Sequence, residues 1–456
     1  AAVSALSFSW AIVFLIISLA AGFTVAGTVL VAQNKGAGNT DRVDHVAGQT
    51  IAFVVLLSAA FSAVGYFLAP TLLTVIGAVP GTTEYALSVE YTRTIFLGIP
   101  FVFGFFIFQG LLQGWGDTRT PMYLMALGVA LNVVVDPFFI LGFRDNVIFE
   151  VLGATGLENT LYAATGFAGF GVQGAALATI LSRGIGAVIA MGLLLSGRVG
   201  LAPSPGDFRP KRETVAKIVR IGAPASIEQS TRALGVTVLT ALVALASQEA
   251  VAAYGIGNRL TSLVFLPALG LARGTETVVG QNLGADQPER AKRAVFAAAG
   301  LIAAVLGVLS VVAVTFAEPI TAVFITGENA DVVVAIGADY LRIVGATFLF
   351  LGAFRVVQGS FRGSGSTKTA MALSILALVV FRVPPAYLLV EVFDMGATGV
   401  WYGIAFSNVA ILLVAGAWFL RGTWTEGVVD DEDAPGMGPG PDSAEVAGEG
   451  DVGVDD

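Results

Sequence analysis

Leu30-Val-Ala-Gln-Asn-Lys-Gly-Ala-Gly38 and Val278-Val-Gly-Gln-Asn-Leu-Gly-Ala285 carry the same Gln-Asn-x-Gly-Ala turn, 248 residues apart, and each follows a long apolar run. The same offset pairs Arg42 with Arg290. Farther along, Gln109, Gly110, Gly114, Gly116, Thr118, Thr120 and Met122 match Gln358, Gly359, Gly363, Gly365, Thr367, Thr369 and Met371 at an offset of 249. Gly171, Gly174 and Ser182 match Gly396, Gly399 and Ser407 at 225, so about two dozen extra residues lie in the first copy, around Arg144 to Gly169. A repeat of this length makes each copy a structural unit that must pack against its partner.

The runs between these turns define the class. Of the 456 residues, 55% are hydrophobic and 12% charged, and the mean hydropathy is +0.82. A soluble domain carries roughly a quarter of its residues as charged ones. Runs of about twenty apolar residues can each cross a bilayer core as a helix. Eleven spans are predicted, near 5–32, 46–69, 91–114, 120–142, 172–196, 219–247, 251–281, 292–316, 338–361, 368–390 and 397–420. The 56 glycines fit close helix packing in lipid, and the absence of cysteine excludes disulfides, zinc thiolates and cysteine nucleophiles.

Charge sets the expected sidedness. One set of alternate connections holds fifteen Lys and Arg residues, and the other holds only Arg93 and Arg144 among many acids. By the positive-inside rule the first set faces the cytoplasm, and with it the C-terminus. Both copies then place the Gln-Asn-x-Gly-Ala turn on the cytoplasmic side, so the repeat is parallel. The segment from Glu426 to Asp456 holds eleven acidic residues and no Lys or Arg, a composition predicting disorder.

The second copy opens with span 219–247, whose partner would fall at about −29 to −1. The expectation is an all-α membrane protein of two six-helix lobes from a parallel internal repeat, with eleven of twelve transmembrane helices present. Its parts are an N-lobe over 1–197, a basic cytoplasmic linker over 198–218, a C-lobe over 219–421 and a disordered acidic tail over 422–456.

The residue chemistry points to one place above others. Asp136 lies well inside a span, where a carboxylate is costly and marks an ion pathway or proton relay. Asn132 precedes it by four residues and shares its helix face. Pro137 has no N–H for the carbonyl of Val133, so the helix is loosened beside the acid. The repeat-related position, 136 + 249, is Pro385, so the acid is not duplicated. An aspartate hydrogen-bonded only for packing is the plainer alternative. In span 219–247, Glu228 is a second candidate for a cation site, although it stands four residues from Arg232 and is equally read as paired with it. Arg273 and Glu276 read as a structural pair. Arg183, Arg259, Arg342, Arg355 and Arg382 read as packing or snorkelling residues. His45, the lone histidine, reads as an inert residue of a cytoplasmic loop. The glycine-rich turns lack the Gly-Lys-Ser/Thr ending and preceding strand of a phosphate loop.

Taken with Gln109-Gly-x-x-Gln-Gly-x-Gly-Asp117 and Asn132-Val-Val-Val-Asp-Pro137, the two Gln-Asn-x-Gly-Ala segments resemble the multidrug and toxic compound extrusion (MATE) transporters over about residues 5–421. The resemblance implies two lobes around a central cavity, alternating access, and export of cationic or amphiphilic small molecules against H⁺ or Na⁺. It further implies a multi-pass plasma-membrane protein, monomeric, with the lipid bilayer as partner, no nucleic acid, no cofactor and no resident metal. In its archaeal, DinF-like branch, an Asn and an Asp on one helix cooperate with a Thr on the next and an Asp on the first. Asn132, Asp136 and Thr179 match the first three, with a Na⁺ site conceivable at Asp136 and Asn132, and the fourth falls in the expected preceding helix. Two other functions compete. A lipid-linked oligosaccharide flippase needs several central cations, and an intramembrane transferase needs clustered acids or a His/Ser arrangement.

Overall fold

The computed structural model describes residues 2–325, 330–425 and 427, and the side chains of all of these except 2–8 and 11. The acidic tail beyond Thr425 therefore lies almost wholly outside the described residues. Of the expected tail over 422–456, the described Trp424 is buried, stacks on Phe419 and donates its indole N–H to the Phe419 carbonyl at 2.9 Å.

The described chain is helical, without strands. The first half comprises α1 (Ala2–Gly36), α2 (Thr40–Val75), α3 (Thr83–Trp115), α4 (Arg119–Leu141), the short α5 (Val147–Val151) and α6 (Thr155–Thr165), and α7 (Gly171–Leu195). The second comprises α8 (Arg212–Ala244), α9 (Gln248–Gly284), α10 (Pro288–Thr315), α11 (Ala317–Ala322), α12 (Ala330–Ile343), α13 (Phe348–Gly363), α14 (Thr367–Val379), α15 (Val383–Glu391) and α16 (Gly396–Leu420). The extra segment of the first half is thus α5 and α6. They are tied to α4 by Asn146, whose backbone N–H donates to Glu158 and whose side chain donates to the Gly142 carbonyl.

Ten stretches are long and apolar enough to span a bilayer. The remaining predicted span, 219–247, falls largely in α8, a 33-residue helix, but Glu228, Arg232 and its Ser and Thr residues dilute its apolar character. Two predicted spans are interrupted. The run 338–361 breaks at the turn Gly345–Thr347 between α12 and α13. The run 368–390 breaks at Val380–Arg382, because the tandem Pro384 and Pro385 withdraw two backbone donors from the turn. Its repeat mate α4, with the single Pro137, runs through unbroken.

Each half has its own apolar core, one around Phe103, Leu111 and Leu112, the other around Trp401, Phe348 and Phe361. The first turns of α8 belong to the first core through Ile218, Ile221 and Ala225. There the helices nearly touch. A Cβ on Gly22 would collide with the backbone of Ser226, and the Ser226 hydroxyl donates to the Leu19 carbonyl at 3.1 Å.

At one end of the molecule the repeat closes on itself. A Cβ on Gly36 would strike the Gln281 carbonyl, and one on Gly284 would strike the Gln33 carbonyl. Only glycine permits this approach of the α1 and α9 termini. The Gln33 side chain then donates to the Gly363 carbonyl at 3.0 Å, and Gln281 donates to the Gly114 carbonyl at 3.1 Å. Thr277 adds a third bond across the halves, to the Gln113 carbonyl at 3.0 Å.

The connection after α7 is pinned rather than loose. Gln49 donates to the carbonyls of Asp207 and Arg209 and accepts from the Lys211 N–H. His45 lies inside α2, not in a loop, and its Nδ1 stands 3.0 Å from the Asp207 carboxylate. It is a docking contact for the linker, which its isolation in sequence concealed.

Candidate ion-coupling site

Asp136 and Asn132 project from the same face of α4, and the Asn132 amide donates to Oδ1 of Asp136 at 3.0 Å. Both residues are half-buried. Among the described residues no other hydrogen bond reaches the Asp136 carboxylate. One oxygen therefore remains available for a proton, a water or a cation. The carboxylate stands in a helix whose flanking residues are apolar, where charge is expensive and where protonation or cation binding relieves the cost.

The neighbouring elements hold this face open to few polar groups. α7 abuts α4 closely: Gly174 sits against the Phe139 carbonyl, which also accepts from the Phe170 N–H at 2.7 Å. Thr179 is thereby brought to the adjacent helix, but its hydroxyl donates to the Ala175 carbonyl at 3.0 Å rather than to Asp136 or Asn132. Tyr91 of α3 is buried with Val13, Ile95 and Ala176 and lies within electrostatic reach of Asp136. Sequence reasoning passed over Tyr91, since a tyrosine near a helix start carries no spacing signal. Gln173 of α7 donates to Thr94 of α3 at 3.3 Å, joining the two helices that flank the acid.

Glu228 is not paired with Arg232. Its Oε1 accepts from Arg362 at 2.7 Å, and the same guanidinium donates to Glu276 at 3.1 Å. All three side chains are almost fully buried. An i,i+4 pair on one helix contributes about 0.2–0.5 kcal/mol. A guanidinium shared between two buried carboxylates contributes far more once all three are out of water, because removing it strands both acids. The shared arrangement wins, and Arg232 instead lies over the Phe265 ring, 3.8 Å from its centroid. Glu276 is hydrogen-bonded to Arg362, and Arg273, its expected partner, interacts with it electrostatically without a hydrogen bond. Arg362 itself is buried at the end of α13.

The other arginines divide by environment. Arg183 packs against Phe105 and Phe106, with a buried Nη1 lacking a partner. Arg342 makes exposed ion pairs with Asp339 and Glu318. Arg259 is exposed. Arg355 donates to Gln358 at 2.8 Å, and Arg382 to Asn408 at 3.0 Å. Among the described residues there is no group of three or more His, Cys, Asp or Glu side chains arranged to hold a metal ion.

The sequence and the fold have known counterparts. The MatE family model matches residues 1–138 and 224–388. The chain is 27% identical over 424 residues to a probable multidrug resistance protein, YoeA, of Bacillus subtilis, covering 91% of this chain and 85% of that protein. It is 28% identical over 413 residues to a probable multidrug resistance protein, NorM, of Thermotoga maritima, covering 89% and 82%. Among solved structures, an outward-facing conformation of a multidrug resistance MATE family transporter of the MOP superfamily superposes with a TM-score of 0.82 at 25% identity, over 93% of this chain and 88% of the other.

Proposed function

Since the chain belongs to the MatE family of membrane transporters, we propose that it is a secondary active exporter that moves amphiphilic or cationic small molecules out of the cell against H⁺ or Na⁺. Its relatives named as multidrug resistance proteins support the substrate class. The observation that carries the coupling is the Asn132–Asp136 pair on a membrane helix. A duplicated scaffold holds this acid once, with Pro385 at the equivalent place. The Gln and Gly residues of the seam repeat with the scaffold, whereas Asp136 does not.

In this reading Asp136 takes up a proton or Na⁺ from the outer side. Its change of charge alters the electrostatic cost of the closed first half and the hydrogen bond from Asn132. The helix faces of α3, α4 and α7 then repack, with Thr179 and Tyr91 positioned beside the moving face. The ion is released on the inner side when the lobes rock about the α1–α9 seam, giving alternating access. The basic end of the molecule, with Arg290, Lys292 and Arg293, faces the cytoplasm, as does the chain end after α16.

Exporter-deficient cells expressing Asp136→Asn at wild-type level test this. Loss of drug resistance and of dye efflux is expected. Retention of both would remove Asp136 from the coupling step.

A further inference from the structure

We propose that the second lobe contains an anion-recognition site, formed by Arg232 and Arg355 across Phe265, that takes the carboxylate or phosphate group of a transported amphiphile. The proposal rests on the exporter reading above and assigns part of its substrate chemistry.

Three helices meet here at mid-length: α8 supplies Arg232, α9 supplies Phe265 and α13 supplies Arg355. The Arg232 guanidinium lies 3.8 Å from the Phe265 centroid and that of Arg355 lies 4.9 Å from the same ring. Arg355 is within electrostatic reach of both Arg232 and Arg382. Like charges gathered away from water repel one another, and the ring faces offset only part of that cost.

Among the described residues no carboxylate hydrogen-bonds to Arg232, Arg355 or Arg382, although Glu228 lies within electrostatic reach of Arg355. Glu228 and Glu276 both bind the single guanidinium of Arg362. Among the described residues Arg232 has no hydrogen-bonded acceptor. Arg355 and Arg382 have one neutral acceptor each, Gln358 and Asn408. The Nε atoms of Arg355 and Arg382 are buried without a partner. Unsatisfied guanidinium donors beside an accessible one fit a ligand that accepts several hydrogen bonds at once, which is the geometry of carboxylate and phosphate oxygens. Arg232 is exposed, so the cluster reaches the molecular surface.

The repeat sharpens the argument. The first-half equivalents of Arg355 and Arg382, at an offset of 249, are Phe106 and Val133. The bases belong to the second half alone, as the acid Asp136 belongs to the first. A pair of bases uncopied in one lobe and an acid uncopied in the other suit an acidic or zwitterionic amphiphile better than a simple cation.

The test uses full-length protein in detergent and equilibrium binding of carboxyfluorescein, an anionic probe, beside tetraphenylphosphonium, a cationic one. Arg232→Gln and Arg355→Gln are each expected to weaken carboxyfluorescein binding by about tenfold or more, leaving tetraphenylphosphonium within about twofold. Arg232→Lys and Arg355→Lys should retain part of the anion affinity, and retained cation binding shows that the variants fold. Competition by a short-chain phosphatidylglycerol, but not phosphatidylcholine, would extend the same site to a lipid headgroup phosphate. Its failure to compete, with carboxyfluorescein still bound, would confine the site to soluble anions. Wild-type protein that binds no carboxyfluorescein, or Gln variants that lose both probes equally, overturns the site. Binding intact but neither probe moved by proteoliposomes overturns the exporter reading and leaves the site standing.

Discussion

Gln33 and Gln281 make the same hydrogen bond from opposite halves of the molecule. Each donates its side-chain amide across the lobe boundary to the carbonyl of the glycine near the end of the other half's third repeat helix, Gly363 at 3.0 Å and Gly114 at 3.1 Å. Gly36 and Gly284 let the two helix termini approach closely enough for both bonds to form. The seam is therefore a two-fold latch made of residues that the repeat supplies twice.

Removing either glutamine should loosen that latch. A neutral hydrogen bond contributes about 1 kcal/mol, which is about fivefold in an equilibrium. The chain has no cysteine, so a single one introduced at Thr277, which is buried on the seam, reports seam opening by thiol labelling. Gln33→Ala and Gln281→Ala should each raise the labelling rate about fivefold, and the double variant more than either. Unchanged labelling would show that the bonds do not hold the closed seam.

A methyl group at the seam should act more strongly than a lost hydrogen bond. Gly284→Ala places its Cβ against the Gln33 carbonyl, where backbone must move. Overpacking of this kind costs about 1–3 kcal/mol. The variant should show a lower Tm or a seam shifted toward the open state, read by the same Thr277→Cys label.

The triad of Glu228, Arg362 and Glu276 should behave as a unit. Arg362→Met leaves two buried carboxylates without their shared donor, at a cost of about 3–5 kcal/mol. A large fall in Tm in detergent is expected. Adding Glu228→Gln and Glu276→Gln to Arg362→Met should recover most of it, because neither carboxylate is then stranded. A single Arg362→Met variant as stable as the wild type would refute the pairing.

The linker should release from α2 in acid. Burial alone raises the Asp207 carboxyl, but hydrogen bonds from the Ser204 hydroxyl and from His45 outweigh it and hold the group below its ordinary range. A depressed carboxyl stabilises the docked linker fully above about pH 4, the unfolded value. That contribution is lost as the pH falls through the lower folded value. Protease protection of the 198–211 segment should accordingly persist from neutral pH to about 4 and decline below it. Asp207→Asn should remove most of that dependence.

The candidate coupling pair was legible because its logic is local. Asn132 and Asp136 are one helical turn apart, so their hydrogen bond follows from helix geometry alone. Thr179 was placed on the right neighbouring helix, yet its hydroxyl satisfies the Ala175 carbonyl of its own helix. That choice depends on the rotamer and on distances between helices, which spacing does not encode. Glu228 was misread for the same reason: its sequence neighbour Arg232 was the visible partner, while Arg362 is 134 residues away.

The amino-acid sequence by itself determined that this is a helical membrane protein, that its halves are copies, and which acid is not copied. These are consequences of apolar run length and of an offset that survives in the turns. Only the tertiary structure decided that Arg362 is buried between two carboxylates, that His45 docks the linker, and that Arg232 and Arg355 share one aromatic ring. Long side chains can reach several helices, and a buried charge goes to whichever partner leaves the fewest groups unsatisfied. That outcome is set by how the helices pack, and no single helix carries it.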